Sequence, residues 1–341
     1  MKTLQLFAVT CVALVLTPLA NANQHAIIWD SATGMVDLGT LGGANSYATG
    51  INDSGQVVGY SELPGTTITH TFIWTATGGM VDIGSFGKSK SSQGQGINSA
   101  GEVAGQGIVR FFANTSWRQP FFWSPSGGFV PLIPISQVGY DFAFGINDFS
   151  EVTGQFYAPP DATLEAFIWS PAKPKLRYIG ALPGGIGFSV GNAISNAHHL
   201  TGTSSVASGY DAILWSREAG IQDIASIGGG SYTAGQAIND HDEIVGIGFD
   251  AANRLLGFYW SPSTGVNLLQ TLGGVQSACF GINQSGAFAG YATNAAGIFH
   301  ATVWSSSTSA PQDLGALTAG GNSYARAINN LGQVAGFADA P

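Results

Sequence analysis

The chain has 341 residues, of which 9% are charged and 45% hydrophobic, with 49 glycines and a net charge of −9. Plentiful apolar residues and little charge exclude intrinsic disorder. The negative balance, with 11 Lys and Arg mostly scattered along the chain, gives phosphate-backbone binding no electrostatic support, so nucleic acid is not an expected partner.

Lys2 precedes a mostly apolar run from Leu4 to Leu16, and Ala20-Asn21-Ala22 forms a small-x-small cleavage site. This pattern predicts a signal peptide over 1–22 and a mature chain from about Asn23. The run is too short for a comfortable membrane span, and no other apolar run is long enough. The mature protein is expected in the periplasm or outside the cell. Only Cys279 survives cleavage, so stability must come from packing and not from an internal disulfide.

Residues 23–341 read as one domain of seven repeats. A tryptophan closes an apolar run at Trp29, Trp74, Trp123, Trp169, Trp215, Trp260 and Trp304, at spacings of 44 to 49 residues. An Ile-Asn marker follows in each unit, from Ile51-Asn52 to Ile328-Asn329, with Ile194-Ser195 as its variant. A glycine comes next, at Gly59, Gly105, Gly154, Gly202, Gly246, Gly290 and Gly336. Each unit holds four short strand-like runs, which predicts an all-β, seven-bladed β-propeller of four-stranded antiparallel blades. Strand alternation places the two tight turns of every unit on one face and the Gly-Gly and variable loops on the other, the expected binding face. The Ser-x-small-x-small-Ile-Asn strand is expected innermost. Residues 25–38 then form the outer half of a blade whose inner half is 323–337, so the N- and C-terminal strands close the ring together.

The first unit reads His25-Ala26-Ile27-Ile28-Trp29-Asp30, then Gly34-Met35-Val36-Asp37-Leu38-Gly39-Thr40-Leu41-Gly42-Gly43, then Ile51-Asn52-Asp53-Ser54-Gly55-Gln56-Val57-Val58-Gly59. This resembles the HAF family of extracellular repeat proteins, over residues 25 to 337. The His-Ala-Phe triplet itself is loose here, and Leu-Gly-Gly is clean in the first and sixth units only. The resemblance implies secretion and no particular reaction.

The in-phase tryptophans are expected in the core between blades. The Asn-Asp/Gly turns lack the oxygen density of a calcium loop and are expected to build tight turns. His25, His70 and His300 occupy one equivalent position in different blades and are expected to make structural hydrogen bonds. The recurring Asp37, Asp82, Asp223 and Asp313 are also expected to be structural. His198-His199 and His241-Asp242 lie in turns of neighbouring repeats, where two turns approach closely enough to be weighed as a metal site. No Cys-His spacing supports that, and no metal or cofactor is expected.

The most individual segment is the insertion 107–118, which brings Arg110, Trp117 and Arg118 to the variable face, as a recognition element or as an Ω-like loop packed on itself. Neighbouring loops add Tyr157, Asp161, Tyr210, Asp250 and Arg254. An aromatic, weakly acidic face of this kind suits a glycan or an extended peptide. The leading expectation is a monomeric secreted scaffold that binds a polysaccharide or a cell-surface protein there. The alternatives are a glycan-active hydrolase or lyase and a purely structural or adhesive repeat protein. Two out-of-phase carboxylates within ~10 Å near the channel mouth would favour the enzyme.

Overall fold

Each repeat supplies four runs of β-forming residues separated by Gly, Asn and Asp, so no element grows beyond ten residues. In the computed structural model the described residues are 23–341 apart from 86–89, 113–114, 135–138, 140, 159–162 and 228, and they contain strands and no helix. The strands form antiparallel four-stranded sheets arranged like the blades of a propeller. One runs Ser46–Ile51, Val57–Glu62, Thr69–Thr75 and Gly79–Gly84 in sequence order. The next units repeat that order. Two neighbouring units join into one longer sheet through a single parallel bridge, Tyr210 to Tyr232. The N-terminal strand Gln24–Asp30 pairs with the C-terminal strand Val334–Asp339, so one sheet is assembled from both ends of the chain.

The first strand of each unit packs against the first strand of the next, and all but Tyr232–Ile238, which the Tyr210–Tyr232 bridge joins to the preceding unit, lie at a sheet edge. Ser323–Ile328 packs in the same way on Ser46–Ile51. Their C-terminal ends converge, because Ile-Asn or Ile-Ser residues from all seven repeats line one cavity of about 220 Å³. The Ser-x-small-x-small strand is therefore the inner one.

The recurring glycine has a steric cause. Every inner strand carries a β-bulge at the same place, for instance between Ala48 and Gly50 and between Ala325 and Ala327. The residue ahead of the bulge turns its carbonyl onto the second strand. A Cβ at Gly154 or Gly290 would strike that carbonyl, from Phe142 or Ala278. The other five equivalent glycines meet the same obstacle.

Tryptophans of the third strand fill the space between sheets. Trp169, Trp215 and Trp304 are buried, and Trp29, Trp74, Trp123 and Trp260 are half-buried against core clusters. The recurring serine ties one sheet to the next. Ser46 Oγ accepts the Ala26 N–H at 2.8 Å and donates to the Gly39 carbonyl at 2.6 Å. Equivalent bonds recur at Ser92, Ser189, Thr233, Ser277 and Ser323.

The motif histidines pair with the motif aspartates inside one sheet: His25 with Asp37 at 2.8 Å, His70 with Asp82 at 2.9 Å and His300 with Asp313 at 2.8 Å. Cys279 is fully buried, and burial pushes its thiol well above the ordinary range, so it is an inert core residue.

Candidate functional site

Two tiers of side chains occupy the inner strands. The lower tier consists of the Asn turns. Asn52 Oδ1 accepts the N–H groups of Ser54 and Gln56, which closes its own turn. Its Nδ2 then donates to the Asn98 carbonyl of the neighbouring sheet at 2.9 Å. The same bond runs from Asn98 to Asn147, Asn147 to Ser195, Asn239 to Asn283, Asn283 to Asn329 and Asn329 to Asn52. Ser195 is too short to continue it. These residues therefore make the expected turns and also latch sheet to sheet, and their polar groups are used up internally.

The upper tier is the set of bulge residues. The seven positions hold Thr49, Gln95, Phe144, Asn192, Gln236, Phe280 and Arg326, whereas their flanking positions are all Gly, Ala or Cys. A bulge frees one side chain from the pleat and re-aims it. Here it turns toward the line on which the inner edges converge. Thr49 and Asn192 each bond to a carbonyl of the next inner strand, at 2.9 and 2.8 Å. Gln236 Nε2 is buried and meets no hydrogen-bond acceptor among the described residues.

Arg326 is the distinctive member. Its guanidinium lies 4.5 Å from the Phe280 ring centroid and 5.7 Å from that of Phe337. No ion pair among the described residues engages it. Burial lowers its pKa. It remains a cation held by ring faces, an arrangement that stabilises less than a carboxylate would. Burial also raises the Tyr60 hydroxyl, whose shift is opposed by the charges of Arg326 and Arg118. Around them stand half-buried Tyr47, Tyr60 and Phe280 and buried Tyr291 and Tyr324. Tyr47 and Tyr291 are both pushed up to about 12, chiefly by burial.

Four of the residues singled out from sequence adjoin this region. Arg118 places its guanidinium 4.9 Å from the Phe142 ring and donates from Nη1 to Gln93 at 3.2 Å. Trp117, beside it, is 36% exposed. Tyr157 donates its N–H to Asp141 and packs with Phe188 and Leu164. Tyr210 meets Phe188 edge-on at 5.4 Å. Arg110 lies in the strand Val103–Phe112. Asp161 lies outside the described residues. Asp250 and Arg254 engage each other at 2.7 Å, and Asp250 also caps their shared turn, which holds its carboxyl below the usual range. The insertion is a long hairpin of Val103–Phe112 and Thr115–Ser124, not an Ω-like loop. The charges that act on Tyr60 are those of Arg326 and Arg118, whereas Glu62 acts on the adjacent Tyr47.

Asp141 is the one carboxyl buried here, and desolvation raises it to about 7. Its origin is legible in the repeat. It stands where Ser46 and its equivalents stand, and the residue whose N–H those serines accept is here Pro120, which has none. One oxygen accepts the Tyr157 N–H at 3.1 Å and the other has no partner among the described residues. Among the described residues the only raised carboxyl shaped by a second carboxylate is Asp211, pushed to about 6 by burial and by Asp223, at the in-phase position that is His-Asp in three other units. The turns of His198-His199 and Asp242 do meet across sheets, as His199–Asp242 at 2.6 Å, with His198–Glu151 at 2.7 Å beside them. No group of three metal-ligating side chains occurs among the described residues.

The small flanking residues of the inner strand report crowding and do not point to Arg326 or Gln236. The clue was the residue between them, which changes from repeat to repeat.

No family model matches the chain, and neither does any curated protein. Among solved structures it is similar to oligogalacturonate lyase from Vibrio parahaemolyticus, with a TM-score of 0.54 at 10% identity, covering 94% of this chain and 99% of that one. It is also similar to a putative TolB from Agrobacterium tumefaciens, with a TM-score of 0.51 at 10% identity, covering 94% of this chain and 100% of that one. At such identity the likeness shows the fold alone: an all-β, propeller-type scaffold. Among the described residues no helix is long and apolar enough to cross a membrane.

Proposed function

We propose that the protein is a secreted HAF-type binding scaffold. Seven four-stranded blades close into a ring, and the tier of bulge residues, opening toward the variable-loop face, holds an acidic glycan. Closure is supported by the sheet shared between the chain ends and by the Asn329-to-Asn52 latch. The ligand class rests on one observation above all: Arg326, a half-buried cation beside aromatic rings, has no carboxylate partner among the described residues. A sugar acid supplies both what the guanidinium lacks and a ring face that suits Tyr and Phe.

The bulge residues vary while the backbone that presents them does not. This is how a repeat scaffold sets recognition without altering its core. Asp141 is the observation that favours catalysis, because a carboxyl near 7 suits a general acid. Its serine-equivalent position and Pro120 account for it structurally, so binding is the better reading.

The test is a glycan array probed with the mature protein, with Arg326→Met and with the Trp117→Ala/Arg118→Ala double variant. Otherwise neutral glycans carrying a single uronate should bind the wild type, and Arg326→Met should lose at least tenfold in affinity for them with its fold intact. Binding confined to neutral glycans, or unchanged in Arg326→Met, overturns the reading. Equal binding by Trp117→Ala/Arg118→Ala removes the hairpin from the site.

A further inference from the structure

A second feature lies at the opposite, tight-turn face. A groove of about 480 Å³ opens between the sheet containing Thr163–Ser170 and Lys173–Tyr178 and the sheet containing Leu200–Val206 and Gly209–Ser216. Lys173, Lys175, Arg177 and Arg217 line it. These are four of the chain's 11 Lys and Arg, in a protein of net charge −9. We infer that this groove is a binding site for a linear oligoanion, a segment of an acidic polysaccharide, separate from the axial tier.

The placement of the charges carries the inference. Lys173, Lys175 and Arg177 come from one strand, whose pairing is irregular between Ile168 and Ser170, and all three line the groove. Arg177 is braced with its guanidinium 4.9 Å from the Trp215 ring. Arg217 stands on the opposite wall. No ion pair among the described residues engages any of the four. Of the two acids in the groove, Glu151 is occupied by His198 and by Asn147 at 2.8 Å, and only Glu218 offers a competing charge.

Lysines on an edge strand commonly serve to prevent edge-to-edge pairing. The other six repeats provide an internal control. Their outer strands, such as Gly34–Asp37, Gly128–Pro131 and Gly265–Leu268, contain no Lys or Arg. Edge protection alone would not single out one of seven equivalent edges. The same groove is lined by His198 and His199, a pair that no other repeat carries in its turn. Nucleic acid fits poorly, because Trp169 and Trp215 are buried and present no platform for stacking bases.

The experiment is calorimetric titration of the mature protein with a heparin hexasaccharide, with neutral dextran and an oligo-dT strand as controls. Wild type should bind the hexasaccharide, more weakly as salt rises, and bind neither control. Lys173→Gln/Lys175→Gln should lose tenfold or more, with an unchanged thermal midpoint because both side chains are exposed. Lys173→Arg/Lys175→Arg should retain binding. Arg326→Met should bind the hexasaccharide like the wild type even if it fails on the glycan array, which separates this site from the axial one. Unchanged binding in Lys173→Gln/Lys175→Gln, loss in Arg326→Met, or oligo-dT binding as tight as the hexasaccharide would each overturn the inference.

Discussion

The Asn turns and the bulge residues sit three positions apart on the same inner strands, yet they behave in opposite ways. Asn52 and its equivalents are nearly invariant around the repeats. Each closes its own turn and most reach the next sheet as well, so substituting one leaves several buried backbone groups without partners. Thr49, Gln95, Phe144, Asn192, Gln236, Phe280 and Arg326 share a backbone position and almost no chemistry. Uniformity marks positions whose bonds are satisfied within the scaffold. Divergence at fixed geometry marks positions where the scaffold makes no demand.

Four substitutions break or sharpen that contrast. At the uniform positions the largest loss is expected from Trp304→Ala, which empties a fully buried site. It should cost about 3–5 kcal/mol in urea unfolding, and a loss below 1 kcal/mol would remove the tryptophans from the core.

Asp141 departs from a uniform position, and its effect depends on pH. An ordinary Asp titrates near ~3.9 when unfolded, whereas Asp141 in the fold is raised to about 7. Between these values the folded state holds a proton that the unfolded state has released. Stability therefore falls as pH rises from about 4 to 7 and levels off above. Asp141→Asn should flatten that slope and raise stability at pH 8 by roughly 2–4 kcal/mol, in urea titrations at both ends of the window.

Next in size is Asn283→Ala, which strands the N–H groups of Ser285 and Ala287 and the Asn329 carbonyl. A loss of about 2 kcal/mol is expected in thermal or urea unfolding. The smallest change belongs to the divergent tier. Arg326→Met should shift stability by less than about 1 kcal/mol, or raise it, because an apolar side chain replaces a half-buried cation. A large loss there would make Arg326 part of the scaffold and erase the distinction.

Much of this was legible in the residues. Repeat phase identified the strands, the inner edge, the core role of the tryptophans and the structural role of His25 and Asp37. Periodicity reports what every unit must do alike, and these are such features. The site was less legible, for the complementary reason. The variable loops drew attention to Trp117 and Arg118, which adjoin the axial region, and to Asp250 and Arg254, which satisfy each other four residues apart. Arg326 lay inside a strand whose small residues spoke only of crowding.

The sequence by itself determined the repeat, the four-strand unit and the need to pair the strands of 25–38 with those of 323–337, because each unit leaves an apolar face that only a neighbour can cover. Only the tertiary structure decided which side chains meet across units. Arg326 reaches Phe280 and the neighbourhood of Tyr60, Asn329 reaches Asn52, and Lys175 shares a groove with Arg217, all through the way successive sheets are set side by side. Spacing along the chain encodes a strand, but the distance between two strands belongs to the packing of sheets.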